Sequence, residues 1–150
     1  MFKRILLGMD DSNPSQMALE RAIELAALVG AELRVLHVLD LTDLVQEAEF
    51  VKGSEQSAGR MSEGQALVDE AVMRAQAASV EAGGVLAPVQ TTDKKVEDIV
   101  VEQADEWAAD LIVLGTHGRA GLTRLLRGSV AEAVLRAAGR PVLLFPLEQP

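Results

Sequence analysis

The 150-residue sequence has no cysteine and no tyrosine. Without thiols it forms no disulfide, no thiolate metal site and no cysteine nucleophile. Aromatic residues are scarce, with three Phe and one Trp. The core must therefore be built from Leu, Val, Ile and Ala, a composition that suits a parallel sheet covered by helices. Two histidines, His37 and His117, are too few for most zinc sites unless carboxylates join them. No apolar run approaches the roughly 18–20 residues needed to span a bilayer. The opening MFKRILLGMDDS reaches two aspartates where a secretory leader would continue its apolar stretch. The expectation is a cytoplasmic protein with no membrane partner. Cations are outnumbered, 14 Lys and Arg against 23 Asp and Glu, for a net charge of −9. That excess opposes nonspecific binding to nucleic acid or anionic lipid, though not the capture of a small anion.

What is present is alternation. The length suits a single domain over residues 1–150. Strand-like apolar runs at 2–10, 32–40, 85–92, 110–116 and 141–146 are separated by segments of helical period. Asn13-Pro14-Ser15-Gln16 reads as a helix start, with Asn13 as cap, Pro14 at the first helical position and Gln16 closing a capping box. Residues 41–60, with Gly53 and Gly59, read as a mobile connection with room for a short helical piece. Met61 to Ala82 reads as a long helix stopped by Gly83-Gly84, 96–108 as a further helix and 129–138 as the last. Strict βα alternation predicts an α/β fold: a five-stranded parallel sheet with helices on both faces, Rossmann-like. Pro88 lies in the third strand, and proline is tolerated at sheet edges. That places strand three outermost, as an order of 3-2-1-4-5 requires.

In such sheets ligands bind beyond the carboxyl ends of the strands, where the strand order reverses. Strand one ends in Asp10-Asp11-Ser12 and strand four in Gly115-Thr116-His117-Gly118, and the order 3-2-1-4-5 sets these ends side by side. The stretch GTHGRAGLTRLLRGS, 115–129, carries four glycines and three arginines. From Gly115 to Arg140 five arginines face a single acidic residue, Glu132, so positive charge gathers where the glycines are. Glycine lets backbone approach a ligand closely. Gly128-Ser129 opens a helix, whose N-terminus presents free N–H groups suited to phosphate. No Gly-Lys dipeptide occurs, so the common P-loop is absent, and G-x-x-G-x-x-G is not the dinucleotide fingerprint.

The spacing Gly115-x2-Gly118-x9-Gly128-Ser129 resembles the nucleotide-binding motif of the universal stress protein family, in its ATP-binding branch. Asp10-x-Ser12-x2-Ser15-x2-Ala18-Leu19 is similar to that family's opening, and Val35-Leu36-His37-Val38-Leu39-Asp40 looks like its second strand. The resemblance covers essentially the whole chain. It implies an ATP-binding stress-response or signalling protein that uses ATP or another adenine nucleotide with Mg. Asp10 would sit near the ribose and help hold the metal, and the backbone of Val38 would read the adenine edge. Gly115, Gly118, Gly128 and Ser129 would contact ribose and phosphates, with Val130 beside them; Thr116 and Arg119 in the same loop are further candidates for holding the nucleotide, Arg119 by its charge. It also implies a homodimer joined through the last strand, Val142, Leu143, Leu144 and Phe145. A hydrophobic edge strand invites such pairing on general grounds. One departure is local: many relatives carry Gly-x-Pro after strand three, where this chain has Thr91-Thr92-Asp93-Lys94-Lys95.

Plainer readings stand beside these. The glycine loop also reads as a long capped connection, Asp10 as a cap of the first turn, and His37 as a core histidine with a satisfied ring. His117 reads as a loop residue or a poor base. Competing functions are a nucleotide-dependent enzyme, by slow ATP hydrolysis or nucleotidyl transfer, and a nucleotide-free interaction module. No assured general base or water-positioning group is legible, so the expectation is a binding protein with no catalytic residues and an unnamed protein partner.

Overall fold

A computed structural model describes residues 1–10, 12–46, 50–115 and 129–146, without the side chains of 45–46, 50–54 and 129. The element order is β1 (Arg4–Gly8), α1 (Asn13–Val29), β2 (Glu32–Asp40), α2 (Thr42–Gln46), α3 (Phe50–Ala77), β3 (Ala82–Val89), α4 (Val96–Trp107), β4 (Leu111–Gly115), α5 (Ser129–Ala137) and β5 (Val142–Phe145). The strands form a five-stranded parallel sheet in the order β3-β2-β1-β4-β5. Pro88 stands on an edge strand, as its missing N–H requires.

The pleat sorts the apolar residues between two layers. Ile5, Leu7, Leu33, Val35, Leu111 and Val113 pack under α1 and α3, which contribute Ala18, Leu19, Ala22, Ala71 and Ala75. Their neighbours Leu6, Leu36, Ile112 and Leu114 pack under α4 and α5 through Val100, Ala104, Trp107, Ala131 and Val134. The central strands β1 and β4 are buried on both faces, which is why RILLG and LIVLG show no polar alternation.

Several local expectations are corrected. The cap of α1 is Ser12, not Asn13: Ser12 is extended, and its hydroxyl accepts the Ser15 N–H. The connection over 41–60 is largely helical, since α2 begins at Thr42 and α3 runs from Phe50 through Gly53 and Gly59. A helical glycine costs about 1 kcal/mol against alanine, which docking onto the sheet offsets. Gly83-Gly84 does not stop α3. Helix α3 ends at Ala77, and both glycines lie in β3, paired with Arg34 and Val35. A Cβ on Gly84 would fall 2.3 Å from Val68 Cγ1 and 3.2 Å from Val72 Cγ2. The glycine is there because α3 lies directly on the strand.

Candidate functional site

Strands β1 and β4 pair in the centre of the sheet and stop at Gly8 and Gly115, while their helices leave to opposite faces. The gap between them is a cleft of about 170 Å³ lined by Gly8, Met9, Asp10, Ser15, Leu36, Val38, Val96, Val100, Leu114, Gly115, Val130 and Ala131. It lies at the carboxyl ends of β1, β2 and β4, where the strand order reverses.

Of the residues singled out from the sequence, Asp10, Val38, Gly115 and Val130 come together on this cleft. Ser129 begins α5, whose next residue, Val130, lines the cleft. The expectations for Thr116, Gly118, Arg119 and Gly128, and for His117, Arg124 and Arg127, lie outside the described residues.

Asp10 is held by a compact set of hydrogen bonds. Its Oδ1 accepts from the Ser12 N–H at 2.8 Å and from the Ser15 hydroxyl at 2.9 Å. Its own N–H donates to Ser15 Oγ at 3.0 Å. The carboxylate thus takes part in closing the start of α1, as the plainer reading has it, and also faces the cleft. Ser15 is only 4% exposed.

Gly115 has a structural reason beyond ligand approach. A Cβ there would stand 2.9 Å from the carbonyl carbon of Pro14 and 3.0 Å from Ser15 N. The end of β4 therefore presses directly on the first turn of α1, and any side chain would push Asp10's support away.

His37 is half-buried, with Nδ1 2.8 Å from the Met9 carbonyl oxygen. That contact ties β2 to the segment leading into Asp10. Beyond β2, Asp40 Oδ1 accepts from the N–H and hydroxyl of Thr42. The Arg60 guanidinium forks onto Asp43 at 2.7 and 2.8 Å, tying α3 to α2. That hydrogen bonding and charge hold the Asp43 carboxyl below its usual range. In the 91–95 turn before α4, a hydrogen bond and the charge of Glu102 raise the Lys94 ammonium.

Sequence reading passed over Ser15, Val96 and Val100 as site residues. Ser15 was legible as the third residue after a Ser cap, where a side chain points back to the helix entrance. Val96 and Val100 are spaced i, i+4 on α4, so they share the face that walls the cleft. Among the described residues no group of three or more His, Asp or Glu could hold a metal ion, and no helix is long and apolar enough to cross a membrane.

The universal stress protein family model matches residues 1–146. A universal stress protein of Methanocaldococcus jannaschii is 34% identical over 146 residues, covering 96% of this chain and 82% of that protein. A crystal structure of a universal stress protein family member from Burkholderia pseudomallei superposes with a TM-score of 0.78 at 32% identity, covering 97% of each chain. A universal stress protein crystallised in complex with cAMP superposes with a TM-score of 0.69 at 26% identity, covering 98% of each chain.

Proposed function

This chain belongs to the universal stress protein family, and from that premise we propose that it is an ATP-binding stress-response protein of the family's ATP-binding branch. In this reading residues 1–150 act as one domain. An adenine nucleotide lies between the ends of β1, β2 and β4 and the start of α5. The observation that carries it is the meeting of Asp10, Val38, Gly115 and Val130 on one cleft at the reversal of strand order. Val38, Val96 and Val100 supply an apolar wall for a base. The start of α5 supplies N–H donors for phosphate. Gly118, Gly128 and Ser129 would complete the phosphate side by their motif spacing, with Thr116 and Arg119 as further candidates in the same loop. The cAMP-bound relative supports an adenine ligand.

Mg²⁺ fits as a companion of the nucleotide rather than as a resident ion. It commonly binds through one or two carboxylates plus phosphate oxygens, and Asp10 offers one carboxylate on the cleft. When bound, the ion would neutralise phosphate charge. Among the described lining residues Asp10 is the one ionisable side chain, and its Oδ1 already accepts two hydrogen bonds. The reading is a binding protein with at most slow hydrolysis, signalling to a protein partner from the cytoplasm.

The same premise supports a homodimer. Strand β5 is an edge, and Leu143 is 38% exposed on it. Val142 and Leu144 pack against the α4–α5 core layer and Phe145 against the other. Leu143→Lys therefore tests pairing without opening the core: monomer by sedimentation supports it, and an unchanged dimer overturns it.

The nucleotide reading is tested on protein purified without added nucleotide, denatured and analysed by mass spectrometry beside a Gly128→Glu, Ser129→Ala variant. ATP released from the unmodified chain and none from the variant is the expected result. No nucleotide from either, with no thermal shift on adding ATP, overturns it.

A further inference from the structure

We propose that Ser15 is the positioning residue for nucleotide binding, acting through Asp10; this rests on the reading of the cleft as an adenine-nucleotide site. Among the described residues Ser15 is the buried polar side chain, 4% exposed, and it lines the cleft beside Asp10. Its hydroxyl engages both ends of Asp10. It donates to the carboxylate Oδ1 at 2.9 Å and accepts the backbone N–H at 3.0 Å. One side chain thus sets the carboxylate rotamer and the backbone that carries it.

Ser15 is itself held from two sides. Its N–H donates to Ser12 Oγ at 3.3 Å, and the Ser12 N–H donates to the same Asp10 Oδ1 at 2.8 Å. On the other side the end of β4 abuts it, since a Cβ on Gly115 would lie 3.0 Å from Ser15 N. The first turn of α1 is therefore wedged between Asp10 and β4, the two chain segments that flank the cleft. A carboxylate anchored in this way presents one orientation to a ligand instead of sampling several. Binding then avoids the cost of ordering it, which is the advantage of a pre-organised site.

The experiment measures the dissociation constant of ATP in magnesium chloride, by calorimetry on the full chain, across a double-mutant cycle. The four proteins are the unmodified chain, Ser15→Ala, Asp10→Ala and the double variant, each with its melting temperature. A hydrogen bond to a charged group is worth enough that Ser15→Ala should weaken ATP by about tenfold. In the Asp10→Ala background the same change should cost less than about twofold, because the carboxylate is gone and only the bond to the backbone N–H of residue 10 remains. Ser15→Cys keeps the side chain's shape with a slightly larger, weakly donating thiol, and it should also lose about fivefold or more if Ser15→Ala does not fold. Equal losses in both backgrounds, or unchanged affinity in Ser15→Ala or in the folded Cys variant, overturn the assignment alone. Absence of ATP binding by the unmodified chain overturns the nucleotide reading and this assignment with it.

Discussion

At the amino end of the sheet the polar side chains are turned on the chain itself. Asp110 accepts the N–H groups of Lys3 and Arg4 at 2.8 and 3.1 Å, and Arg4 Nη1 donates to the Trp107 carbonyl at 3.0 Å. Arg140 donates to the carbonyls of Ala138 and Ala109 and pairs with Asp105. The Arg34 guanidinium lies over the Trp107 ring at 4.4 Å, within the range of a cation–π contact. At the carboxyl end Asp10 is also fixed by hydrogen bonds, yet it stands on an open cleft between diverging helices. Both ends carry carboxylates on backbone N–H groups. The difference is what lies beyond them: at one end the chain closes over itself, and at the other two strands stop and leave a gap. A capping carboxylate is therefore turned on the chain itself or on an open cleft according to topology, and its local hydrogen bonds do not distinguish the two.

Substitutions separate the ends. The largest stability loss belongs to the amino end. Trp107→Ala, removing a side chain 7% exposed in the α4–α5 core layer, should cost about 3–5 kcal/mol by chemical denaturation. ATP affinity of the folded fraction should be unchanged, and a large loss of affinity would erase the contrast. Gly115→Val should cost about 1–3 kcal/mol by overpacking, because its Cβ meets Pro14 backbone at 2.9 Å. In contrast to Trp107→Ala, it should also abolish the thermal shift on adding ATP.

Asp110→Ala leaves two backbone N–H groups without their carboxylate and should cost about 1–2 kcal/mol, with ATP binding intact. The smallest effect is at the exposed α2–α3 clasp. Arg60 lowers the folded-state pKa of Asp43 below its ordinary value of 3.8. A depressed carboxyl pKa contributes stability above the unfolded-state value, and the contribution is lost as pH falls through the folded-state value. Melting temperatures of the unmodified chain and Asp43→Asn should differ slightly at pH 7 and draw together as pH falls below 3.8, the difference being small because an exposed pair is screened. A gap that does not narrow as pH falls below 3.8 would mean that Asp43 acts by something other than its charge.

Much of the fold was legible because its signals are short-range. Apolar runs of strand length, set between segments of helical period, located the five strands, and the observed β2 coincides with the expected 32–40. Pro88 pointed to an edge, which agrees with the strand order expected from the loaded ends of strands one and four. The misreadings were at glycines and caps. Gly83-Gly84 carries the composition of a helix stop, yet its neighbour is a helix packed across the strand. Asn13 and Ser12 are both good caps, and only the backbone path into α1 selects Ser12.

By itself the sequence determined a disulfide-free aliphatic core, the alternation of strands and helices, and a glycine spacing that resembles one family. These follow from composition and from patterns a few residues long. The tertiary structure alone decided that Ser15 supports Asp10 against the end of β4 and that α3 needs a glycine under it. It also decided that Val96 and Val100 wall the same cleft as Val38. Apart from the local pairing of Ser15 with Asp10, those relations join residues a dozen to a hundred positions apart, and only the closing of the sheet brings them within contact distance.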